Sequence, residues 1–397
     1  MHVLAATNNL YPDPGATGSG RYNYEVGRRL AERGHTVSVV TRLRGDQPRR
    51  ETVAGMDVYR YEASIPRLPA TLARLAEIVA TVRETEPLDL LSCHGALSSA
   101  GVDRAVADSV PRTYTVHGLW SVEYGDRLVD PSRWAAPWHW ANRAARDRVE
   151  GRVLANCDRA VVLSEFQRKR VEKHHDHVPP TSVVPGGVDV ERFSPAARGS
   201  SLVPTDRPTV LTVRRLTPRM GVETLLEAFA AADTGDTRLL VAGDGPLRSA
   251  LTERTRALGI ADDVSFLGYV PDAALPALYA SADVFVLPTL ELEGFGLATL
   301  EALASGTPVV GTRAGATPEL LGDLAGAPDV PAPVLVPPGD AAALASALEA
   351  WLGLPAADRT EAGRACRSHV RESGYTWAAV TDRLERLFGG LSSPGSW

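Results

Sequence analysis

Short apolar runs alternate with Gly- or Pro-rich loops and helical segments along most of this chain, and this alternation constrains its fold more than any other feature. The first forty residues contain an apolar run at 2–6, a loop, a helical face formed by Tyr22, Val26 and Leu30, and a second apolar run at 36–41. This is the order of a βαβ unit, whose two strands are parallel. The sequence therefore predicts an α/β protein built on parallel sheets.

A segment with little hydrophobic pattern separates two stretches of this alternation. Residues 194–208 are rich in Ser, Gly and Pro, a composition typical of a linker between domains. Beyond it the pattern starts again, with apolar runs at 209–213, 239–241 and 264–267 and helical segments between them. The second stretch is therefore predicted to form another α/β domain with a sheet of its own.

The length of the chain, 397 residues, also favours two domains, because single cores rarely grow beyond ~250–300 residues. We predict an N-terminal domain at 1–195 and a C-terminal domain at 196–374. The remaining segment, 375–397, has apolar residues at helical spacing and is predicted to pack back toward the N-terminal domain. These apolar residues are Trp377, Val380, Leu384, Leu387 and Phe388.

The composition excludes several classes of protein. The formal net charge is −6 at pH 7, so no nucleic-acid binding is expected. The cysteines, Cys93, Cys157 and Cys366, have neither disulfide-framework nor metal-ligand spacing, and the sequence has no Asp-x-Asp metal motif. There is no apolar run of ~18 residues and no secretory leader pattern at the N-terminus, so a soluble cytoplasmic protein is expected.

Two glutamates, Glu293 and Glu301, flank a glycine-containing turn that follows the apolar run at 284–288. Glycine lets the backbone approach a ligand closely, and 297–304 is predicted to be a helix whose first N–H groups are unpaired and can bind phosphate. The two carboxylates can reach different ends of one elongated ligand, one suiting a ribose and the other a hexose. The segment is therefore predicted to hold a sugar nucleotide; the alternative is an ordinary acidic loop before a helix.

Several motifs occur in a fixed order from the first strand to about Asp340. They are the Gly-rich loop before Arg21-Tyr22, His35 after Gly34, 184–189 with Phe193, 214–221, 243–246, the segment from Glu293 to Glu301, and 315–319. Together they resemble the motif set of family 4 glycosyltransferases. The resemblance implies the GT-B fold, with two facing Rossmann-like domains and a cleft between them. It also implies a nucleoside diphosphate sugar on the C-terminal domain, an acceptor on the N-terminal domain, and retention of anomeric configuration.

The resemblance assigns roles to individual residues. Glu293 contacts the hydroxyls of the donor sugar and Glu301 the ribose, while Gly18 brings its amide to the distal phosphate. His117 acts in catalysis near the reacting centre of the transferred sugar. Further contacts come from the backbone amides of Gly294, Phe295, Gly296 and Leu297. The alternatives are a surface turn at Gly18 and a core histidine at His117, and for His94, which ends a similar strand, a core role is expected.

The sequence departs from the family at Met220. Family members commonly carry an arginine and then, a few residues later, a lysine before glycine; here Met220 occupies the lysine position. Arg215 is predicted to bind the pyrophosphate and assist catalysis, with Arg219 or Arg214 replacing the missing ammonium, because guanidinium groups bind phosphate in a bidentate manner. The alternative is that Met220 marks a changed donor or a lost activity.

Four of the seven tryptophans lie in one arginine-rich stretch of the N-terminal domain: Trp120, Trp134, Trp138 and Trp140. Three interpretations remain open: an acceptor-binding lid that includes Trp120 and Trp138, an amphipathic helix facing a membrane, and packing between neighbouring helices. The basic residues are interrupted by Glu123, Asp126, Asp130 and Asp147. A soluble acceptor is therefore favoured, and membrane association is expected to be peripheral at most.

The favoured function is transfer of a hexosyl or N-acetylhexosaminyl unit from a nucleoside diphosphate sugar to an acceptor hydroxyl, with retention. Guanidinium groups and helix amides can neutralise the pyrophosphate, so no metal or other cofactor is expected. The preference for arginine over lysine suggests a bacterial source, and a small secondary metabolite is the favoured acceptor.

The alternatives to this function differ from it in the acceptor or in the activity. Polysaccharide and lipid acceptors remain open, as does a catalytically inactive partner that binds a sugar nucleotide, which the change at Met220 favours. A sugar-nucleotide epimerase would share the domains, and analysis of products formed without acceptor would distinguish it. A phosphorylase that uses pyridoxal phosphate is excluded, because the C-terminal half has no lysine for the Schiff base.

Overall fold

The computed structural model describes residues 1–13, 18–64, 67–126, 136–203 and 207–392, with only the backbone described at Asp126 and Ala136. The chain divides into two compact units. The first unit consists of Met1–Gly186 together with the segment that starts at Trp377, and the second consists of Gly187–Thr376.

The first unit is built on a sheet that starts at the N-terminus. Its strands are β1 (His2–Ala6), β2 (Thr36–Arg42), β3 (Arg50–Val53), β4 (Met56–Tyr61), β5 (Leu90–Cys93), β6 (Arg112–Val116), β7 (Arg159–Val162) and β8 (Thr181–Val183). Within the described residues they form one sheet in the order β3-β4-β2-β1-β5-β6-β7-β8, in which only the β3/β4 pair is antiparallel. The central strands are buried at nearly every position because helices cover both faces of a parallel sheet.

Helices cover this first sheet. They are α1 (Gly18–Glu32), α2 (Leu68–Thr85), α3 (Ala96–Asp103), α4 (Trp120–Asp126), α5 (Ala136–Ala155) and α6 (Glu165–His174). In α1 the predicted apolar face of Tyr22, Val26 and Leu30 is buried, as its helical spacing requires.

The second unit repeats the architecture. Its strands are β9 (Thr209–Val213), β10 (Arg238–Ala242), β11 (Val264–Gly268), β12 (Val284–Leu287), β13 (Val309–Thr312) and β14 (Leu335–Val336). Its helices are α7 (Val222–Ala231), α8 (Arg248–Ala257), α9 (Leu275–Ser281), α10 (Leu297–Ala304), α11 (Thr317–Leu321), α12 (Ala341–Leu352) and α13 (Ala356–Glu372). The strands pair in parallel in the order β11-β10-β9-β12-β13-β14. The prediction of an α/β chain with two parallel sheets is confirmed.

The final helix, α14 (Trp377–Ser392), packs on α1 within the first unit. The ring of Trp377 contacts the ring of Tyr22 edge to face, with centroids 5.7 Å apart. Arg33 Nη1 lies 2.6 Å from Glu385 Oε2. Of the apolar residues that predicted this helix, four are buried and Leu387 is half-buried. The helix therefore joins the core of the unit that contains the N-terminus.

The boundary between the units lies at Gly186–Gly187, before the predicted position at residue 195. Val188 pairs with Thr376 in a parallel bridge. The ring of Phe193 packs edge to face on Tyr279 in α9, with centroids 5.9 Å apart. Residues 187–195 are therefore part of the second unit. Local composition predicted the linker later in the chain, at 194–208, because composition gives no information about these long-range contacts.

Each sheet has a point at which the chain changes direction, and this point is where open α/β sheets bind ligands. In the first unit β1 is central, with β2 on one side and β5 on the other. In the second unit β9 is central, with β10 on one side and β12 on the other. The carboxyl ends of β1 and β5, with β6 next to β5, and of β9 and β12 are therefore where functional side chains are expected.

We predict that Leu384→Ala in α14 will lower the free energy of unfolding by about 2–5 kcal/mol, because the Leu384 side chain is only 1% exposed and its loss leaves a cavity. Urea-induced unfolding followed by tryptophan fluorescence measures this change. Leu387→Ala, at a half-buried position of the same helix, is the matched control and should cost less than half as much. Equal effects would contradict the packing of α14 described above.

Candidate functional site

In the second unit, three polar side chains meet at the carboxyl ends of β9 and β12. Arg214 follows β9, and Thr289 and Glu293 follow β12. Arg214 Nη2 lies 2.7 Å from Glu293 Oε2, and Arg214 Nη1 donates to Thr289 Oγ1 at 2.5 Å. The Thr289 hydroxyl in turn donates to Glu293 Oε2 at 3.2 Å. The β9/β12 switch point therefore holds a closed network of one cation, one hydroxyl and one carboxylate.

This network fixes the orientation of Glu293. Its Oε2 atom accepts from both Arg214 and Thr289, whereas no described residue is seen to bond its Oε1 atom. The side chains of Arg214 and Glu293 are 6% and 15% exposed, so their attraction is only weakly screened by water. Glu293 is thus held by one oxygen and can offer the other to a hydroxyl group.

Backbone packing also holds Glu293 in place. The carbonyl oxygen of Glu293 accepts from the amide N–H of Ala316 at 2.9 Å. Gly315 has φ +61°, and a Cβ atom at Gly315 would lie 2.2 Å from the same carbonyl oxygen. Only glycine therefore fits at position 315 without moving the Glu293 backbone.

The helix after this loop, α10, begins without a side-chain cap. Its N-cap residue is Gly296, with φ +94°, and no side-chain hydrogen bond caps the helix. The first amide N–H groups of α10 are therefore available to an anion. Phe295 is 6% exposed and its ring contacts Tyr375 edge to face, with centroids 6.1 Å apart. Phe295 thus anchors the loop with its side chain and can serve a ligand only through its backbone.

The second glutamate, Glu301, lies in α10 near the hydroxyl group of Tyr279 in α9. Tyr279 is fully buried, and burial followed by the nearby Glu301 carboxylate raises its pKa well above the ordinary value. Arg214 has the opposite effect on the pKa of Tyr279. Glu301 therefore lies in the same electrostatic environment as the pair of Arg214 and Glu293.

The arginines around Met220 occupy different positions. Arg214 Nη2 lies 2.9 Å from Met220 Sδ, so the guanidinium rests against the side chain at the family's lysine position. Arg215, the residue predicted to bind pyrophosphate, is exposed and makes none of these contacts. Arg219 Nη1 donates to the carbonyl oxygen of Leu292 at 3.1 Å. The structure thus brings Arg214 to Glu293, places Arg219 on the loop before it, and leaves Arg215 at the surface.

In the first unit, two histidines stand at the carboxyl ends of neighbouring strands. His94 follows β5 and His117 follows β6, and their rings are stacked with centroids 5.6 Å apart. His94 Nδ1 lies 3.3 Å from His117 Nε2, and His94 Nε2 lies 2.9 Å from Ser92 Oγ. The ring of Tyr22 contacts His117 edge to face at 5.0 Å. A chain of hydrogen bonds therefore runs from Ser92 through His94 to His117.

Both histidines are neutral at pH 7. Burial lowers the pKa of His117 to about 4. Burial and then the neighbouring His117 lower the pKa of His94 well below its ordinary value. In a neutral pair one ring nitrogen donates and the other accepts, so the tautomer of His94 decides whether His117 Nδ1 is a donor or an acceptor. His94, for which the sequence predicted only a core role, therefore controls the chemistry that His117 can offer.

Gly18 is exposed and is the first residue of α1, which follows the β1 end of the same switch point. Residues 14–17 of the Gly-rich loop lie outside the described residues. Gly18 is thus placed at a helix start, where its backbone can approach an anion.

The aromatic residues predicted as an acceptor lid do not share one environment. The guanidinium of Arg146 lies over both Trp120 and Tyr124, 4.4 Å and 4.3 Å from the ring centroids. Trp138 is 66% exposed on α5, and Trp134 lies outside the described residues. Trp120 therefore packs between helices, whereas Trp138 faces solvent. Across the described residues, no helix is both long enough and apolar enough to cross a membrane.

Sequence reasoning missed Thr289 and Tyr279. Neither residue belongs to one of the motifs. The only signal for Thr289 was its place directly after the apolar run at 284–288, and Tyr279, within α9, had no signal. No group of three or more potential metal ligands is found among the described residues.

Two family profiles match the chain in succession. Residues 16–192 match Glycosyltransferase Family 4, and residues 193–369 match Glycosyl transferases group 1. A D-inositol 3-phosphate glycosyltransferase from Corynebacterium diphtheriae is 31% identical over 405 residues, covering 94% of this chain and 90% of that protein. A GDP-mannose-dependent alpha-(1-6)-phosphatidylinositol monomannoside mannosyltransferase from Mycobacterium tuberculosis is 33% identical over 211 residues, 49% of this chain and 55% of that protein.

Solved structures agree with these matches. Sucrose-phosphate synthase from Thermosynechococcus elongatus superposes with a TM-score of 0.77 at 26% identity, covering 98% of each chain. The Anabaena protein HepE in complex with UDP and glucose superposes with a TM-score of 0.74 at 18% identity, covering 98% of this chain and 100% of that chain. These likenesses confirm the predicted GT-B fold.

The neutral histidines predict how stability depends on pH. The unfolded chain binds a proton at His117 below pH 6.5, whereas the folded chain binds it only near pH 4. The free energy of unfolding should therefore fall by about 3 kcal/mol through this residue as the pH drops from 6.5 to 4. Melting temperatures of wild type and His117→Gln across this range measure the effect.

His177→Gln, at an exposed histidine, is the matched control and should keep the wild-type dependence on pH. A wild-type profile with the same slope as that of His117→Gln would show that His117 titrates normally.

Proposed function

Because the chain belongs to the family 4 glycosyltransferases, we propose that it transfers a hexosyl or N-acetylhexosaminyl unit from a nucleoside diphosphate sugar to an acceptor hydroxyl with retention. The observation that carries this proposal is the network of Arg214, Thr289 and Glu293 beside the uncapped start of α10. It combines a carboxylate that has one oxygen bonded by Arg214 and Thr289, and can accept sugar hydroxyls at the other, with a cation and the first backbone amides of α10 for a diphosphate.

The donor would lie along these groups. Glu293 Oε1 accepts from hydroxyls of the sugar, and the amides of 294–297 contact the sugar and the pyrophosphate. Glu301, near the buried hydroxyl of Tyr279, accepts from the ribose hydroxyls. Catalysis in such a site comes mainly from preoriented charges that stabilise the leaving group. A pair of buried carboxylates flanking the anomeric carbon is not required.

Arg214 is the cation that we assign to the pyrophosphate in place of the missing lysine. Its guanidinium rests on Met220 Sδ, near the end of the side chain that replaces the family's lysine, and it already pairs with the Glu293 carboxylate. Arg215 and Arg219 have less support, because one is exposed and the other donates to the loop backbone. An arginine at 214 thus compensates for methionine at 220.

The reaction needs few groups from the first unit. A neutral His117 can hydrogen-bond a hydroxyl of the transferred sugar near its reacting carbon without adding positive charge. The leaving phosphate accepts the proton of the acceptor hydroxyl as the new glycosidic bond forms on the same face, which retains configuration. The guanidinium and the helix amides stabilise the charge on that phosphate, so we propose that activity does not need a divalent metal.

For the acceptor we propose an alcohol of the inositol type. The relative that matches over nearly its full length is named for D-inositol 3-phosphate, and the mannosyltransferase that matches over half of its length is named for a phosphatidylinositol mannoside. These names favour an inositol-containing acceptor over the secondary metabolite favoured from the sequence.

Donor binding should raise the melting temperature of the protein, because a ligand that binds only the folded state stabilises it. We expect one of a panel of UDP-, GDP-, ADP- and dTDP-sugars to stabilise the protein by about 2–3 kcal/mol at a hundredfold excess over its Kd, equally with and without EDTA. Glu301→Gln should lose this stabilisation. Glu253→Gln, at an exposed position of α8, is the control.

A panel without any stabilising sugar nucleotide would contradict the proposed donor site. Stabilisation without sugar transfer or slow hydrolysis of the donor would instead identify an inactive binding partner. Loss of activity in EDTA would exclude the metal-independent mechanism.

The proposed role of Arg214 predicts that a lysine at position 220 can partly replace its positive charge. Arg214→Ala should weaken donor binding by about 10- to 100-fold, because one charge-assisted contact to the diphosphate is lost. The double variant Arg214→Ala/Met220→Lys should recover part of the affinity, since it returns a cation to the same place. Arg215→Ala is the matched control, and an effect of Arg215→Ala larger than that of Arg214→Ala would overturn the assignment.

A further inference from the structure

Helix α5 has a buried side and an exposed side. Its inner side carries Glu150, Val153 and Leu154, which are at most 3% exposed. At 3.6 residues per turn, the opposite side presents residues that are all exposed. These residues, called the outer strip here, are Pro137, Ala141, Ala144, Ala145, Arg148 and Arg152. Small apolar side chains therefore form the first half of the strip, and two arginines form the second.

Two tryptophans flank the outer strip. Trp138 is 66% exposed and Trp140 is 74% exposed. They lie about 160° apart around the helix axis, one on each side of the strip. Exposed tryptophans that border an apolar strip mark an interaction surface, because each ring holds a large area of apolar surface in water.

The charges in the strip itself have one sign, because Arg148 and Arg152 are its only charged residues and both are exposed. Asp147 follows Trp140 by seven residues and lies on the same flank; its side chain is 38% exposed and its Oδ1 lies 2.7 Å from His174 Nε2. Glu150 is 1% exposed on the inner side. Over the described side chains of α5, the outer strip is therefore apolar and cationic, and the acid on its flank is paired with a histidine.

The sequence argued against a membrane surface because acidic residues interrupt the basic ones. The fold removes much of this argument. Asp147 is held against α6, and the Glu150 carboxylate accepts from Tyr114 and from the Trp120 amide at 3.0 Å each. Glu123, in the first turn of α4, has its carboxylate close to Gly118, where an added Cβ atom would lie 2.4 Å from Glu123 Oε1. Asp130 and the side chain of Asp126 lie outside the described residues.

We propose that the outer strip, with Trp138 and Trp140, docks on an anionic phospholipid surface. Tryptophan rings settle at the boundary between headgroups and acyl chains, and arginines are attracted to anionic headgroups. A second copy of this chain would bring cationic strips together, which like-charge repulsion opposes. The surface lies on a bilayer and does not enter it. The proposal rests on the proposed function only in placing the enzyme where a lipid-linked acceptor is found.

Co-sedimentation with vesicles tests this surface without any sugar donor. We expect binding to vesicles of phosphatidylcholine with about one third phosphatidylglycerol, and little binding to phosphatidylcholine alone, with affinity that falls as salt is raised. Arg148→Glu/Arg152→Glu should weaken binding at least about 25-fold, from roughly fivefold for each arginine near the surface. Trp138→Ser/Trp140→Ser should weaken binding to the anionic vesicles at least about tenfold.

Arg83→Glu/Arg256→Glu is the matched control, because it makes the same charge change at exposed positions of α2 and α8. Each variant should keep the wild-type melting temperature and its rise with the donor sugar nucleotide. Equal binding to neutral and anionic vesicles, or an equal loss in the control variant, would overturn the proposal. So would a dimer in solution that Trp138→Ser/Trp140→Ser abolishes, since the occupant would then be a second copy. If the protein did not bind vesicles but the donor still raised its melting temperature, the membrane proposal would be wrong and the proposed function would still hold.

Discussion

The ion pair of Arg214 and Glu293 is the interaction on which the candidate donor site depends. It joins the ends of β9 and β12, the two strands between which the second sheet changes direction, at 2.7 Å. Removing either partner would leave a charge with little contact to water, at a cost of about 3–5 kcal/mol. The Thr289 hydroxyl completes the bonding of Glu293 Oε2, and Gly315 packs on the Glu293 backbone. Oε1 is thereby oriented before any ligand binds, so a sugar hydroxyl does not have to order the side chain.

The two switch points use opposite electrostatics. In the second unit, charged groups are concentrated, as binding of a diphosphate requires. In the first unit, burial keeps His94 and His117 neutral, and a hydrogen-bonded chain from Ser92 sets their tautomers. Neutral imidazoles suit a sugar hydroxyl because they can donate or accept without attracting the diphosphate. Both arrangements follow from the same rule, that the ends of parallel strands near the change of direction bring residues distant in sequence together.

Local sequence patterns predicted the helices and strands better than the contacts between residues distant in the chain. The strand at 209–213, the helix at 297–304 and the buried face of α14 follow from apolar spacing, which depends on near neighbours alone. Apolar spacing does not decide between Arg214 and Arg215, because adjacent residues after a strand point in different directions. The family resemblance favoured Arg215, with Arg219 or Arg214 in place of the missing lysine, and the structure turns Arg214 toward Glu293. The start of the second unit at Gly187 was likewise hidden, since it depends on Val188 meeting Thr376.

By itself the sequence determined the class of fold, the presence of two α/β domains, and the family, because periodicity, glycine turns and the order of motifs are local properties. It also named both glutamates and His117. Only the tertiary structure decided which oxygen of Glu293 is occupied, which arginine reaches it, and that His94 contacts His117. It also decided that Glu150 of α5 is buried and Asp147 pairs with His174, while Trp138 and Trp140 face solvent. These outcomes depend on distances between residues far apart in the chain, which packing sets and which no local pattern encodes.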